Sequence, residues 1–104
     1  MKFGGFLITY HRPQVLLITI DELFSQSFPP QHLWIIDNSE DRETELVIME
    51  KNDSRLTYVR IGKNIGPAGA AKIGLEICGK EGLDWIYWGD DNDPPFREDC
   101  FERL

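Results

Sequence analysis

The stretch Trp85-Ile86-Tyr87-Trp88-Gly89-Asp90-Asp91-Asn92-Asp93-Pro94-Pro95 joins an apolar, aromatic run to three acids, an amide and two prolines. The run predicts a buried strand, and it ends in carboxylates that repel one another and lose hydration near a sheet edge. A hard divalent cation would offset this cost, because Mg²⁺ and Mn²⁺ take oxygen ligands and leave coordination positions for phosphates. Asp, Asn and Pro are also ordinary turn residues, so the stretch equally fits a solvated acidic turn.

Strand and helix patterns alternate along the whole chain. Continuous apolar or β-branched runs predict strands, and apolar residues at helical spacing predict a helix after each of them. In chain order the predicted elements are strand 3–10, helix 14–27, strand 32–37, helix 40–51, strand 56–61, helix 68–79, strand 85–88 and helix 96–104. This alternation predicts an α/β fold, a Rossmann-like parallel sheet of about four strands with flanking helices and right-handed crossovers.

Polar residues follow the carboxyl end of each predicted strand. In open parallel sheets ligands bind outside these ends, near the point where the strand order reverses. The four ends fall at 9–12, 37–39, 62–66 and 90–93, so they would meet at one edge of the sheet. Acids at two of the ends, beside a glycine-bearing loop, favour a metal–diphosphate site over a chance acidic turn.

Bulk composition limits the size and the partners of the chain. Its 104 residues, 41% of them hydrophobic, predict one small domain at 1–104 with a real core. The net charge of −7 argues against nucleic acid or an anionic membrane as the main partner, because both need a basic face. Cys78 and Cys100 lack metal-type spacing and indicate reduced thiols in a cytoplasmic protein. No apolar run approaches the roughly 20 residues of a membrane span.

Four segments, in this order, resemble motifs of the family 2 inverting glycosyltransferases. They are Leu7-Ile8-Thr9-Tyr10-His11-Arg12-Pro13 for the opening strand, Ile35-Ile36-Asp37-Asn38-Ser39 for the second strand end, Asn64-Ile65-Gly66-Pro67-Ala68-Gly69-Ala70 for the Asn-x-Gly loop, and Asp90-Asp91-Asn92-Asp93 for the Asp-x-Asp metal motif. Together they span residues 6–95. The resemblance implies the GT-A fold, of which this chain would be the N-terminal, nucleotide-sugar-binding portion.

The resemblance also implies a set of site residues. For the nucleotide they are Thr9, Tyr10, Arg12, Asp37, Asn64, Gly66 and Asp90, and for the metal, Mg²⁺ or Mn²⁺, they are Asp91 and Asp93. Asp37 would accept a hydrogen bond from the base edge of uracil or another pyrimidine. Asp91 belongs to both registers that the metal motif allows, 90–92 and 91–93. The implied partners are a nucleotide-diphosphate sugar and a glycan or lipid-linked glycan acceptor.

The chain departs from the family pattern in two residues and in length. His11 stands where the family usually has Asn, and Lys72 where a second Asn is common. In the family the acceptor-binding half and the catalytic Asp or Glu come well after the metal motif, whereas this chain ends eleven residues after Asp93. We therefore expect donor binding here, and expect sugar transfer with inversion only in a longer parent protein.

Two other classes fit part of the pattern. One is a non-catalytic nucleotide- or metal-binding α/β module that kept the fold. The other is a receiver-like domain that uses clustered acids for Mg²⁺, but that class has acids after its first strand, where this chain has Thr9-Tyr10-His11. A P-loop and a dinucleotide-binding turn each need a glycine pattern that the chain lacks.

Single residues outside the motifs predict structural roles. His11 and His32 have no accompanying metal ligands, so they are expected in structural or solvent roles. The aromatic side chains of the second and fourth strands are expected in the core rather than in a platform that stacks on sugars; they are Trp34, Trp85, Tyr87 and Trp88. A parallel sheet without its later strands exposes apolar surface and an open edge, which predicts self-association.

Overall fold

The computed structural model describes residues 2–91, where strands and helices alternate as the sequence predicts. The elements are β1 (Phe3–Thr9), α1 (Pro13–Phe24), β2 (His32–Asp37), α2 (Glu43–Lys51), β3 (Leu56–Arg60), α3 (Gly66–Lys80) and β4 (Trp85–Asp90). None of the three helices in this range has the length and apolar character of a membrane-spanning helix. The predicted helix at 96–104 and the predicted metal ligand Asp93 lie outside the described residues.

All four strands run parallel, in the order β3-β2-β1-β4 across the sheet. The chain adds β2 and β3 on one side of β1 and then returns to place β4 on the other side. The strand order therefore reverses between β1 and β4, which is where open α/β sheets bind ligands. The register sets Ile8 opposite Asp90 and Thr9 opposite Asp37, so the polar strand ends align at one edge. The predicted α/β fold is confirmed.

Two apolar layers cover the two faces of the sheet. Successive side chains of a strand point to opposite faces, so β1 and β2 supply residues to both layers. The layer under α3 has as its buried members Phe6, Ile8, Trp34, Ile36, Ala70, Ala71 and Cys78. The layer under α1 and α2 has Leu7, Leu16, Ile20, Leu23, Leu33, Ile35 and Ile48. This two-sided burial explains why β1 and β2 read as continuous apolar runs.

The small residues of α3 bring this helix close to the sheet. Gly74 faces the ring of Phe6, and a Cβ added to Gly74 would lie 2.5 Å from the ring carbon Cδ2. Real Cβ atoms do not approach so closely, so a side chain here would displace either the ring or the helix. This close packing sets the amino end of α3 beside the carboxyl end of β1.

The start of α2 differs from the prediction. The helix begins at Glu43 and not at residue 40, and the cap position is Arg42, whose side chain makes no capping hydrogen bond. Ser39, four residues before the helix, accepts a hydrogen bond at its Oγ from the backbone N–H of His11, at 2.8 Å. Residues 38–42 therefore form a loop that is tied to the turn after β1.

The aromatic residues of β4 lie in a strand, but two of them are outside the core. Within residues 2–91, β4 pairs with β1 alone and forms one edge of the sheet. Trp85 and Trp88 are each 55% exposed, whereas Trp34 in β2 is 8% exposed. The prediction of a core position is thus right for Trp34 and wrong for Trp85 and Trp88, because an edge strand leaves part of its faces uncovered.

Candidate functional site

A polar cleft of about 400 Å³ opens at the carboxyl edge of the sheet, where β1 and β4 adjoin. Its lining residues are Ile8, Thr9, Tyr10, Arg12, Asn38, Asn64, Pro67, Asp90 and Asp91. Six of the residues predicted from the sequence are among them: Thr9, Tyr10, Arg12, Asn64, Asp90 and Asp91. Three separate loops and the end of β4 thus converge on one site, as the strand-end argument predicts.

Asp91 is fixed to the first strand and the first helix. Its backbone N–H donates to the carbonyl of Ile8 at 3.0 Å, and its own carbonyl accepts from the hydroxyl of Thr19. The side chain is 8% exposed; its Oδ2 accepts from the Thr9 hydroxyl at 3.0 Å and from the backbone N–H of Tyr10 at 3.5 Å. These contacts orient the carboxylate at the base of the cleft before any ligand binds.

Arg12 provides a positive group opposite this carboxylate. Its guanidinium Nη1 lies 3.8 Å from Asp91 Oδ1, a distance of ion-pair attraction rather than of a hydrogen bond. Just over half of the Arg12 side chain is exposed, so it can turn toward an anionic ligand. The guanidinium fork suits phosphate oxygens, which can take two parallel N–H donors.

Asn38 carries a polar atom that lacks a partner in the described part of the chain. The residue is 3% exposed and lines the cleft, and its Nδ2 donates to the carbonyl of Gly66 at 3.2 Å. Because a carbonyl only accepts, this contact fixes the amide orientation and leaves Oδ1 as the buried acceptor without a hydrogen bond. Such an atom costs about 1–3 kcal/mol, which a ligand N–H or O–H would recover.

Asp37, predicted to accept from the base, lies behind the cleft. It is fully buried; its Oδ1 accepts from the backbone N–H of Ser39 at 2.9 Å and its Oδ2 from the hydroxyl of Tyr58 at 2.5 Å. Burial and this hydrogen bond raise the pKa of Tyr58, so the phenol stays protonated and keeps donating. The structure therefore does not bring Asp37 to the lining with the other predicted residues, and Asp37 instead supports the loop.

Sequence analysis did not single out Asn38, although side-chain alternation along β2 contained the signal. Leu33 and Ile35 pack on the layer under α1, so Asp37, two residues further, falls on that same closed side. Trp34 and Ile36 pack under α3, and Asn38 follows them toward the amino end of α3 and the cleft.

The Asn-x-Gly loop borders the cleft mainly through its backbone. Asn64 Oδ1 accepts from the backbone N–H of Gly66 at 2.9 Å, an Asx turn that ends directly at the first residue of α3. Gly66 has a φ of +81°, in the left-handed region where glycine carries no steric penalty. Asn64 lines the cleft, and Gly66 contacts it indirectly, through its carbonyl bond to Asn38.

The donor set at the end of β4 fits a hard divalent cation. Asp90 and Asp91 bring two carboxylates to the cleft, and Mg²⁺ is typically held by one or two carboxylates together with phosphates and water. Residues 2–91 contain no group of three or more His, Cys, Asp or Glu side chains placed to hold a metal by themselves. Asp93, the second predicted ligand, lies outside the described residues.

Fold and cleft together define an α/β protein with a candidate ligand site at a topological switch point between parallel strands. The sequence matches the model of glycosyl transferase family 2 over residues 6–104, and the chain belongs to that family. The resemblance inferred from the four motifs is thereby confirmed. Proteins of this family generally use a divalent metal.

Similar proteins cover the chain but are much longer than it. The galactofuranosyltransferase GlfT1 of Mycolicibacterium smegmatis is 33% identical over 90 residues, which are 86% of this chain and 29% of that protein. GlfT1 of Mycobacterium tuberculosis is 28% identical over 87 residues, 83% of this chain and again 29% of that protein. The chain thus spans less than a third of the length of these relatives.

Solved structures support the fold. The crystal structure of S. aureus TarS superposes with a TM-score of 0.72 at 19% identity and covers 99% of this chain and 18% of TarS. The structure of S. aureus TarS 1-349 gives a TM-score of 0.66 at 21% identity and covers 90% of this chain and 28% of that one. At this level of identity the likeness concerns the arrangement of strands and helices.

Proposed function

We propose that this chain, as one domain at 1–104, binds the nucleotide-diphosphate sugar donor of a glycosyltransferase. Transfer of the sugar to an acceptor hydroxyl, on a glycan or lipid-linked glycan, is then an activity of a protein that contains this domain. Family membership supports the reaction class. The observation that carries the proposal is the convergence of Thr9, Arg12, Asn64 and Asp91 on one cleft at the switch point.

The base of the nucleotide is read by Asn38 in this proposal. Its Oδ1 accepts from a ring N–H, such as the imide of uracil or another pyrimidine, because this atom is a fixed acceptor in the cleft that has no partner among residues 2–91. Asp37 acts behind it by anchoring the loop through Ser39 and Tyr58. Asn64 and Gly66 border the base and ribose.

The diphosphate and the metal lie at the end of β4 in this proposal. Asp91, a residue of the cleft lining, would hold Mg²⁺ or Mn²⁺ together with Asp93, and Asp90 would contact the nucleotide from the same strand end. When bound, the cation offsets the negative charge that builds on the departing nucleoside diphosphate. Thr9 and the backbone of Tyr10 keep the Asp91 carboxylate oriented, and Arg12 is within reach of a phosphate oxygen.

The named relatives suggest which donor to test first. GlfT1 is a galactofuranosyltransferase, and it matches most of this chain. We therefore propose a nucleotide-linked galactofuranose as the first candidate donor. A cytoplasmic location is part of the proposal, since nucleotide sugars are charged solutes and the thiol of Cys78 is free and buried.

Calorimetric titration with uridine, guanosine and thymidine diphosphates, with and without Mn²⁺, tests the proposal. We expect metal-dependent binding of one nucleotide, and at least tenfold weaker binding in Asp91→Asn because the carboxylate that holds the metal is removed. Asp84→Asn is the matched control, since it removes the same charge just before the amino end of β4, where the Asp84 carboxylate accepts from the backbone N–H of Lys2 at 2.7 Å. Metal-independent or undetectable binding of all three nucleotides would contradict the proposal.

A further inference from the structure

His11 joins the two loops that form the wall of the cleft. Its backbone N–H donates to Ser39 Oγ at 2.8 Å. Its ring Nε2 lies 2.6 Å from Glu40 Oε2, and its Nδ1 lies 3.1 Å from Asp41 Oδ2. The turn after β1, which carries Tyr10 and Arg12 into the cleft, is thereby tied to the loop that carries Asn38.

The contacts of the ring require its charged form. A neutral imidazole has one N–H donor and one lone pair, so it can donate to one carboxylate only and would set its lone pair against the other. Both ring nitrogens face a carboxylate here, and only the imidazolium donates from both. The arrangement also holds His11 at a φ of 53°, a backbone conformation that L residues rarely adopt and that Asn and His tolerate better than most.

We infer that His11 is a positioning residue for donor binding: as an imidazolium bridging Glu40 and Asp41 it fixes the two loops of the cleft, and loss of its proton loosens them. This inference rests on the proposed function. It adds that the pH controls donor affinity at the same cleft through His11, which stands where the resemblance leads one to expect Asn.

Other charged groups around the ring support the bridge. Arg60, from the end of β3, donates to the carbonyls of Glu40 and Asp41 at 2.8 and 2.7 Å and so fixes the loop that presents both carboxylates. The Tyr10 hydroxyl donates to the second oxygen of Glu40 at 3.4 Å, and its ring packs edge-on against that of His11. Arg12, on the other side, is turned to Asp91.

The hydrogen bond to Glu40, and then the charge of Asp41, raise the pKa of His11 above 6.5, while the same hydrogen bond lowers the pKa of Glu40. A raised pKa in the bridged state means that the bridge is complete below the ordinary pKa and is lost as the pH rises through the raised value. Donor affinity is therefore highest at mildly acidic pH and falls toward alkaline pH. By reciprocity, the bound ligand raises the pKa of His11.

NMR titration of the ring protons tests the bridge directly. The chain has two histidines, so His32→Asn leaves His11 as the one titrating imidazole. His32 lies at the amino end of β2, with its Nε2 2.6 Å from the Thr57 hydroxyl, and burial lowers its pKa. We expect the pKa of His11 to be above the ordinary value and to fall in Glu40→Gln. An unperturbed pKa, or one that Glu40→Gln leaves unchanged, would overturn the inference.

Ligand affinity between about pH 5.5 and pH 8.5 tests the positioning role. Two ligands are compared, the nucleoside diphosphate that binds most tightly and the corresponding uncharged nucleoside. An effect of loop position should appear with both ligands, whereas simple attraction of charge should appear with the diphosphate only. For both ligands we expect the dissociation constant of the wild type and of His32→Asn to rise about threefold to tenfold across this range. For the uncharged nucleoside, which does not itself titrate in this range, the constant should stay flat in His11→Asn, because Asn also tolerates the positive φ. The terminal phosphate of the diphosphate has a pKa of about 6, so the diphosphate profile of each variant is compared with that of the wild type.

The outcomes separate the two hypotheses. A pH-dependent affinity for the diphosphate alone would overturn the positioning role, because the phosphate groups of the ligand titrate in the same range. Equal profiles for His11→Asn and the wild type would do the same while leaving the proposed function intact. Undetectable binding of every nucleotide at every pH would overturn the proposed function, and with it the inference that rests on it.

Discussion

Replacement of Asn38 by Ala should separate ligand binding from stability. Within residues 2–91, Asn38 Nδ2 donates to the carbonyl of Gly66 at 3.2 Å, and Asn38 Oδ1 is a buried acceptor without a partner. Losing the hydrogen bond costs about 0.5–1.5 kcal/mol, and removing the unsatisfied acceptor returns about 1–3 kcal/mol. The two effects oppose each other, and the middle of each range leaves a net gain of about 1 kcal/mol, so we expect the free energy of unfolding to stay the same or to rise slightly.

Nucleotide affinity should respond differently. The bound base loses its one acceptor from this residue, which costs about 1.5 kcal/mol and therefore about tenfold in the dissociation constant. Urea unfolding measures the first quantity and calorimetric titration the second, on the same preparations. Asp37→Asn is the matched control, because it weakens the hydrogen bonds that Tyr58 and Ser39 donate to the carboxylate. We expect it to lower the free energy of unfolding and to leave the nucleotide affinity of the folded protein unchanged.

The assignment of the base to Asn38 would be refuted by the reverse pattern. If Asn38→Ala bound the nucleotide as tightly as the wild type, and folded Asp37→Asn lost binding, then Asp37 would be the residue that reads the base. That result would require the loop at 38–42 to rearrange on binding, since Asp37 is fully buried in the free chain.

Three further changes test the packing, the metal ligand and the sheet edge. Gly74→Val should lower the free energy of unfolding by about 1–3 kcal/mol, measured in urea, because the valine Cβ would overlap the ring of Phe6. An unchanged unfolding midpoint would contradict the close packing of α3 on β1. Thr9→Val keeps the shape but removes the 3.0 Å bond to Asp91, so Mn²⁺-dependent nucleotide affinity should fall several-fold, and equal affinity contradicts this. Trp88→Lys should reduce self-association in light scattering, and a wild type that is monomeric at high concentration contradicts the expectation.

The order of the elements could be predicted from the sequence because each strand and helix has its own apolar period. The continuous runs at β1 and β2 reflect burial on both faces, and a run of that kind is visible without knowledge of its neighbours. The exposure of Trp85 and Trp88 could not be predicted in this way. It depends on which strand forms the edge of the sheet, and an apolar run in an edge strand looks like one in a central strand.

The location of the site could also be predicted, because parallel strands bring their carboxyl ends to one edge. The roles of neighbouring residues within it were harder to assign. Asp37 and Asn38 point to opposite faces of the sheet, and the cleft lies on the face that α3 covers. Which of the two residues reaches the cleft is therefore known only once the face covered by α3 is known. The contacts of His11 with Glu40 and Asp41 join residues about thirty positions apart through a left-handed turn, and no local pattern encodes them.

The position of β1 between β2 and β4 has a consequence for synthesis of the protein. Among the four described strands β1 is made first and lies inside the sheet, yet one of its edges stays without a partner until β4, the last of the four, has been made. Pairing across some eighty residues is slow to form and leaves an apolar edge open to other nascent chains in the meantime. Because Asp90 and Asp91 arrive with that same strand, the β1–β4 pairing and the two carboxylates at the end of β4 are completed in one event.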